Sequence, residues 1–114
     1  MDTAKLVSDY QEMIGRYTVL GTVDSKSANQ AFDVAKKLEK DLLSLPEKEW
    51  VNALNPLTQA NDNAVRIFSS FCLYENATDQ QIKKIALQTL RECAAQSGLT
   101  AITAKYWLMS KNLL

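Results

Sequence analysis

Catalysis needs nucleophiles, bases, metal ligands or phosphate cradles, and this chain of 114 residues offers few of them. It has no histidine, so the commonest general base is missing and no hydroxyl or thiol has an imidazole to activate it. The two cysteines, Cys72 and Cys93, fall on apolar stripes of helical segments. Without histidine they do not make a usual zinc site, and they read as small buried hydrophobes rather than as a disulfide. Glu47 and Glu49 come nearest to a paired-carboxylate centre, but they lie on opposite sides of a helix start, where negative charge suits the positive end of the helix dipole. Asp9 and Glu12, three apart, read as like charges on one exposed helical face. Gly15, Gly21 and Gly98 are isolated from one another, so there is no phosphate-cradling loop. Lys36-Lys37 and Lys83-Lys84 are short basic pairs without an aromatic ladder, and no nucleic-acid footprint stands out. The expectation is a protein that is not an enzyme, holds no cofactor or metal, and acts by binding.

Charge narrows the partner only mildly. Thirteen basic residues balance thirteen acidic ones, so no global field points to nucleic acid, a membrane surface or a polyanion. Residues 1–64 carry seven basic against ten acidic side chains, a net of −3, and the remainder carries six against three, a net of +3. The opening Met-Asp-Thr-Ala-Lys lacks the basic region and apolar run of a signal peptide, and no 18 consecutive residues are apolar. A reducing, cytoplasmic setting is the expectation.

The elements that position these residues are helices. The stretch from Asn61 to Asn76 organises the rest: Asn61 and Asp62 can cap it, Val65, Phe68 and Cys72 form one apolar stripe, and Ile67, Phe71 and Tyr74 form a second. Only Arg66, Ser69, Ser70 and Glu75 are clearly polar, so this helix should be covered on two sides. Before it, helical periodicity runs from Thr3 to about Leu20 through Leu6, Val7, Tyr10, Met13, Ile14 and Tyr17, with Asp2 or Thr3 as cap and Gly15 marking a close contact or a bend. Tyr10 and Tyr17 are expected to lay their rings on the core with their hydroxyls toward water. After a turn at Gly21–Ser27, Ser27 and Gln30 have capping-box form, and a second helix to about Leu43 turns Ala28, Ala31, Phe32, Ala35, Leu38 and Leu42 inward and Asp33 outward. A short helix follows Pro46 with Trp50, Val51 and Leu54 as its apolar residues, until Asn55-Pro56 stops it. Residues 57–62 form a polar connection with Leu57 plugging the core.

Beyond the central helix, Thr78 with Gln81 again resembles a capping box. A helix from Asp79 to about Gln96 points Ile82, Ile85, Ala86, Leu90 and Cys93 inward, and Gly98 closes it as a left-handed cap with Leu99 in hydrophobic contact. The last helix, roughly Thr100 to Asn112, has Ile102, Tyr106 and Met109 on one stripe and Ala104, Trp107 and Leu108 on another. A dimer contact and a helix docked in a groove explain these two stripes equally well. The 46% hydrophobic content and the length predict a single all-α domain over residues 1–114. About six helices in antiparallel pairs then form either a short right-handed superhelix or an irregular bundle.

From about Leu42 onward the pattern resembles a bacterial family of small domains built from HEAT-like helical pairs. The residues that carry the likeness are Leu54-Asn55-Pro56-Leu57 leading into Asn63-Ala64-Val65-Arg66, and Ser97-Gly98-Leu99-Thr100-Ala101 with Trp107-Leu108. The resemblance implies no enzymatic activity, and similar small helical domains occur as immunity partners of polymorphic bacterial toxins. Two readings follow. In the first, the chain is a cytoplasmic immunity protein that occupies the catalytic cleft of a toxin, such as a nuclease. Asp33, Glu47 and Glu49 would steer it to a basic cleft and Trp50 would serve as an aromatic anchor, although Trp50 also fits the core of its helix. In the second, it is an adaptor that reads a peptide or a helix along a helical groove.

Overall fold

Aspartates open four of the six helices. In the computed structural model, which describes residues 2–21 and 23–113, the helices are α1 (Thr3–Leu20), α2 (Ser25–Leu43), α3 (Glu47–Leu54), α4 (Asn63–Asn76), α5 (Gln80–Ala94) and α6 (Leu99–Ser110). Asp2, Asp24, Asp62 and Asp79 hold extended backbone and accept the first free amides of α1, α2, α4 and α5. Asp62 is typical: its Oδ1 accepts from Ala64 N at 2.8 Å and from Val65 N at 3.2 Å. The caps expected at Ser27 and Thr78 therefore belong to Asp24 and Asp79. An ionised carboxylate makes the stronger hydrogen bond and also meets the helix dipole, so it outcompetes a nearby hydroxyl. Ser27 instead donates its hydroxyl to Asp24 Oδ2 at 2.7 Å, which with the backbone amides holds the Asp24 carboxyl below the usual range.

The fold is all-α, with no strand among the described residues. Its helices gather into two units, one ending at Leu54 and the other beginning at Asn55. In the first, α1 and α2 pair as an antiparallel hairpin and α3 packs on both. Ala28, Ala31 and Ala35 of α2 are buried, as the small-residue stripe predicts, together with Tyr10, Ile14, Leu42, Trp50 and Leu54. Phe32 lies at 5.0 Å from the Tyr17 ring. Tyr10 departs from expectation: it is 1% exposed, so its hydroxyl is taken inside with the ring. Gly15 makes no close approach, since a Cβ built on it meets nothing within 4 Å.

In the second unit Asn55–Gln59 forms a turn of 3-10 helix rather than an irregular connection, and Leu57 within it is buried as expected. This turn, α5 and α6 all pack on α4. Ile67, Leu90, Cys93, Ala94, Ala104 and Leu108 form the core cluster, with Phe71, Leu87, Trp107 and Leu113 against it. The expected polar serines of α4 are wholly buried: Ser69 Oγ donates to the Arg66 carbonyl at 3.1 Å, while Ser70 Oγ has no hydrogen-bond partner among the described residues.

Gly98 does not cap α5. It has φ 106° and ψ 177° and starts α6, which leaves Leu99 73% exposed rather than in a capping contact. The chain ends α6 with a Schellman arrangement: Asn112 takes φ 57°, Leu113 N donates to Leu108 O at 2.8 Å, and Asn112 N donates to Met109 O at 3.1 Å.

Candidate functional site

The carboxylates of the first unit sort themselves by what holds them. Asp2 and Asp24 are committed to helix caps. Asp9 pairs with Lys5 at 3.0 Å, Glu12 with Arg16 at 2.8 Å and Glu39 with Lys36 at 2.9 Å, all within single helices. Asp33 and Glu49 are exposed and have no ion-pair partner among the described residues. Glu47 is half-buried and engaged in interactions of its own. Helical residues rise about 1.5 Å each, so Asp33 stands roughly 15 Å before the end of α2, from which the chain turns into α3. The structure therefore places Glu47 and Glu49 together on the first turn of α3 and Asp33 well back along a different helix.

Trp50 takes the core role and not the anchor role. It is 4% exposed, because it follows Glu49 on the inward side of α3, and an aromatic anchor must offer its face to the partner. Its neighbour Glu49 lines an open hollow of about 540 Å³ between α1 and α3, with Val7, Ser8, Gln11, Asn52 and Ala53 on the other walls.

The second unit presents two surfaces. On one, Trp107 of α6 stacks on Phe71 of α4 at 4.9 Å and meets Tyr74 edge-on at 5.4 Å, while its indole Nε1 donates to Glu75 Oε1 at 3.0 Å. Lys83 lies 5.1 Å from the Tyr74 ring centroid and Lys111 5.8 Å from that of Trp107. These contacts tie α6 to α4, so Trp107 is chiefly a packing residue with a satisfied polar edge. On the other surface Leu99, Ile102, Tyr106 and Met109 stand exposed along α6, opposite its buried Ala101, Ala104 and Leu108. Three of these four belong to the stripe visible in the sequence. Leu99 is the addition, freed because Gly98 starts the helix one residue earlier than the expected Thr100.

Neither cysteine is offered for chemistry. Both are free and buried, and burial pushes the Cys93 thiol above its ordinary range. Among the described residues no group of three or more acidic, histidine or cysteine side chains could hold a metal ion, and no helix is long and apolar enough to cross a membrane. One unit carries exposed carboxylates and an open hollow, and the other an apolar helical face. No family model matches the chain, and no curated protein or solved structure matches it.

Proposed function

We propose that this chain is a non-catalytic binding protein of the immunity type, which blocks a basic protein partner such as the cleft of a bacterial toxin nuclease. The observation that supports this reading is the pair Asp33 and Glu49, exposed carboxylates left unpaired while Asp9, Glu12 and Glu39 of the same unit are neutralised within their helices. Unpaired surface charge attracts an opposite partner at long range and shortens the search for the bound orientation. Glu47, on the same first turn of α3 as Glu49, adds a second negative group beside Glu49, while Asp33 stands apart on α2. The bacterial, cytoplasmic setting and the likeness to HEAT-like domains belong to the same proposal. The test is titration of the chain against purified basic nuclease domains of secreted toxins at low and high salt. Nanomolar binding that weakens with salt, accompanied by loss of nuclease activity, is the expected result. The double charge reversal Asp33→Lys with Glu49→Lys should then weaken it by about ten- to a hundredfold, mainly through slower association. Binding that ignores both salt and charge reversal would remove the carboxylates from the site.

A second reading, a peptide-binding adaptor, is favoured by the hollow between α1 and α3. Its walls mix apolar Val7 and Ala53 with polar Ser8, Gln11 and Asn52, and Glu49 at its margin suits a peptide bearing a lysine or arginine. Affinity for such peptides should rise with their length and fall on Glu49→Gln.

A further inference from the structure

The α6 surface concerns a different partner. Leu99, Ile102, Tyr106 and Met109 are 73%, 45%, 67% and 55% exposed, and they follow one another at spacings of three, four and three. Scattered exposed apolar residues are ordinary on a protein surface, but four large ones in register on one helix are not. That spacing is the seam of a helix that packs against another helix, with alternate side chains fitting holes in the facing row. The stripe bears no charge. Its flanks are Thr103 and Ser110 on one side and Lys105 on the other.

The geometry points to a second copy of this chain as the occupant, in an antiparallel pair of α6 helices about a two-fold axis that crosses the exposed stripe between Ile102 and Tyr106, at the level of residue 104 along the helix. Residue numbers 99 and 109, and 102 and 106, are symmetric about 104, so Leu99 of one copy would meet Met109 of the other, and Ile102 would meet Tyr106. A larger residue faces a smaller or more flexible one at each level, as a self-complementary surface requires. The chain carries no net charge to drive two copies apart. The exposed parts of the four side chains amount to roughly 400 Å² per copy, so a pair buries about 800 Å² of seam, with the flanks adding more. The seam alone lies below the roughly 1,200 Å² at which stable specific interfaces begin, which makes this a weak, reversible dimer and not a permanent one. Area does not set affinity, so the range put to the test is that of a weak, reversible contact, a dissociation constant of roughly 10–100 μM. The two-fold also brings the Lys105 side chains of the two copies to the same flank, where they repel. Added salt should therefore strengthen the dimer, the opposite of its effect on a basic partner bound through Asp33 and Glu49.

Sedimentation equilibrium of the full chain at rising concentration tests this. The expected result is a monomer at low concentration that shifts to a dimer by about 500 μM, with a dissociation constant that falls on adding salt. Tyr106→Glu and, separately, Met109→Lys should each weaken dimerisation by at least tenfold with unchanged helical circular dichroism; both side chains are mostly exposed, so neither substitution opens the core. Register is read by oxidation: a mixture of Leu99→Cys and Met109→Cys chains should cross-link faster than either variant alone. A chain that stays monomeric at about 500 μM overturns the proposal. So does a dimer indifferent to both stripe substitutions, or one whose like variants cross-link faster than the mixture. None of these outcomes touches the reading based on the carboxylates, which is measured with a nuclease and with substitutions in the other unit.

Discussion

Single residues carry some of the sharpest consequences of this structure, and two glycines, Gly15 inside α1 and Gly98 just before α6, show it by opposite signs. Gly98 holds φ 106° and ψ 177°, a region essentially reserved for glycine, although a Cβ there would meet no neighbour within 4 Å. Gly98→Ala should therefore lower stability by about 1–3 kcal/mol through backbone strain alone. Gly15 lies inside α1 with open space around it, so Gly15→Ala should raise stability by about 0.5–1 kcal/mol by stiffening the unfolded chain and favouring the helix. Urea midpoints moving in opposite directions would bear this out; a neutral Gly98→Ala would mean that the turn has another conformation open to it. In the sequence Gly98 was legible as a positive-φ residue but not as the start of α6, because a glycine between two helices can serve either. Trp50 was ambiguous for a related reason. Apolar periodicity puts it on the inward side of α3, yet the neighbouring carboxylates also suit an interface, and only the packing decides. Ser69 and Ser70 were legible only as polar, and their complete burial was not, because the small size that lets a helix be enclosed on most sides is invisible to a hydrophobicity pattern.

At the scale of helices, the extent and number of elements were legible and the caps less so. Periodicity located α1 through α6 within a few residues, since each has an apolar face that repeats at helical spacing. The cap assignments at Ser27 and Thr78 failed because each has an aspartate within three residues, and a charged acceptor wins. The prediction belongs to α4, whose start depends on one carboxylate. Asp62→Ala leaves the amides of Ala64 and Val65 without their acceptor and should cost about 1 kcal/mol, whereas Asp62→Asn, which can still accept, should cost much less. Chemical unfolding of the two variants beside the parent measures the difference. Equal losses would show that charge against the helix dipole, and not the hydrogen bond, is what the residue contributes. The two apolar faces of α6 were also written in the sequence. Periodicity alone could not say that Ala101, Ala104 and Leu108 face the core while Leu99, Ile102, Tyr106 and Met109 remain outside, since both stripes are equally regular.

For the whole chain the decisive feature is that burial is divided between two units. The length and the lack of a linker rich in glycine or polar residues suit the single domain expected over residues 1–114, and two compact units within it do not speak against that expectation. The break falls between Leu54 and Asn55, where the only local signal is the proline at 56, and that signal was legible merely as the end of a short helix. The units differ in what they bury. The first relies on three alanines of α2 beside Tyr10, Ile14, Leu42, Trp50 and Leu54, whereas the second encloses Leu57, Val65, Ile67, Leu73, Leu90 and Leu108 over three helices and a 3-10 turn, with Phe71, Leu87, Trp107 and Leu113 packed partly buried against them. More large apolar side chains withdrawn from water imply a higher opening free energy for the second. Amide hydrogen exchange under mild denaturant should accordingly separate into two groups, with α4 and α5 the most slowly exchanging and α1 to α3 sharing a lower free energy of opening. The first turns of α1 and α2, whose caps Asp2 and Asp24 are exposed, should exchange fastest of the helical amides. Amides of all six helices converging on one opening free energy and one denaturant slope would instead mean that the cores unfold together, and that substitutions in α2 reach the stability of α5 at full strength.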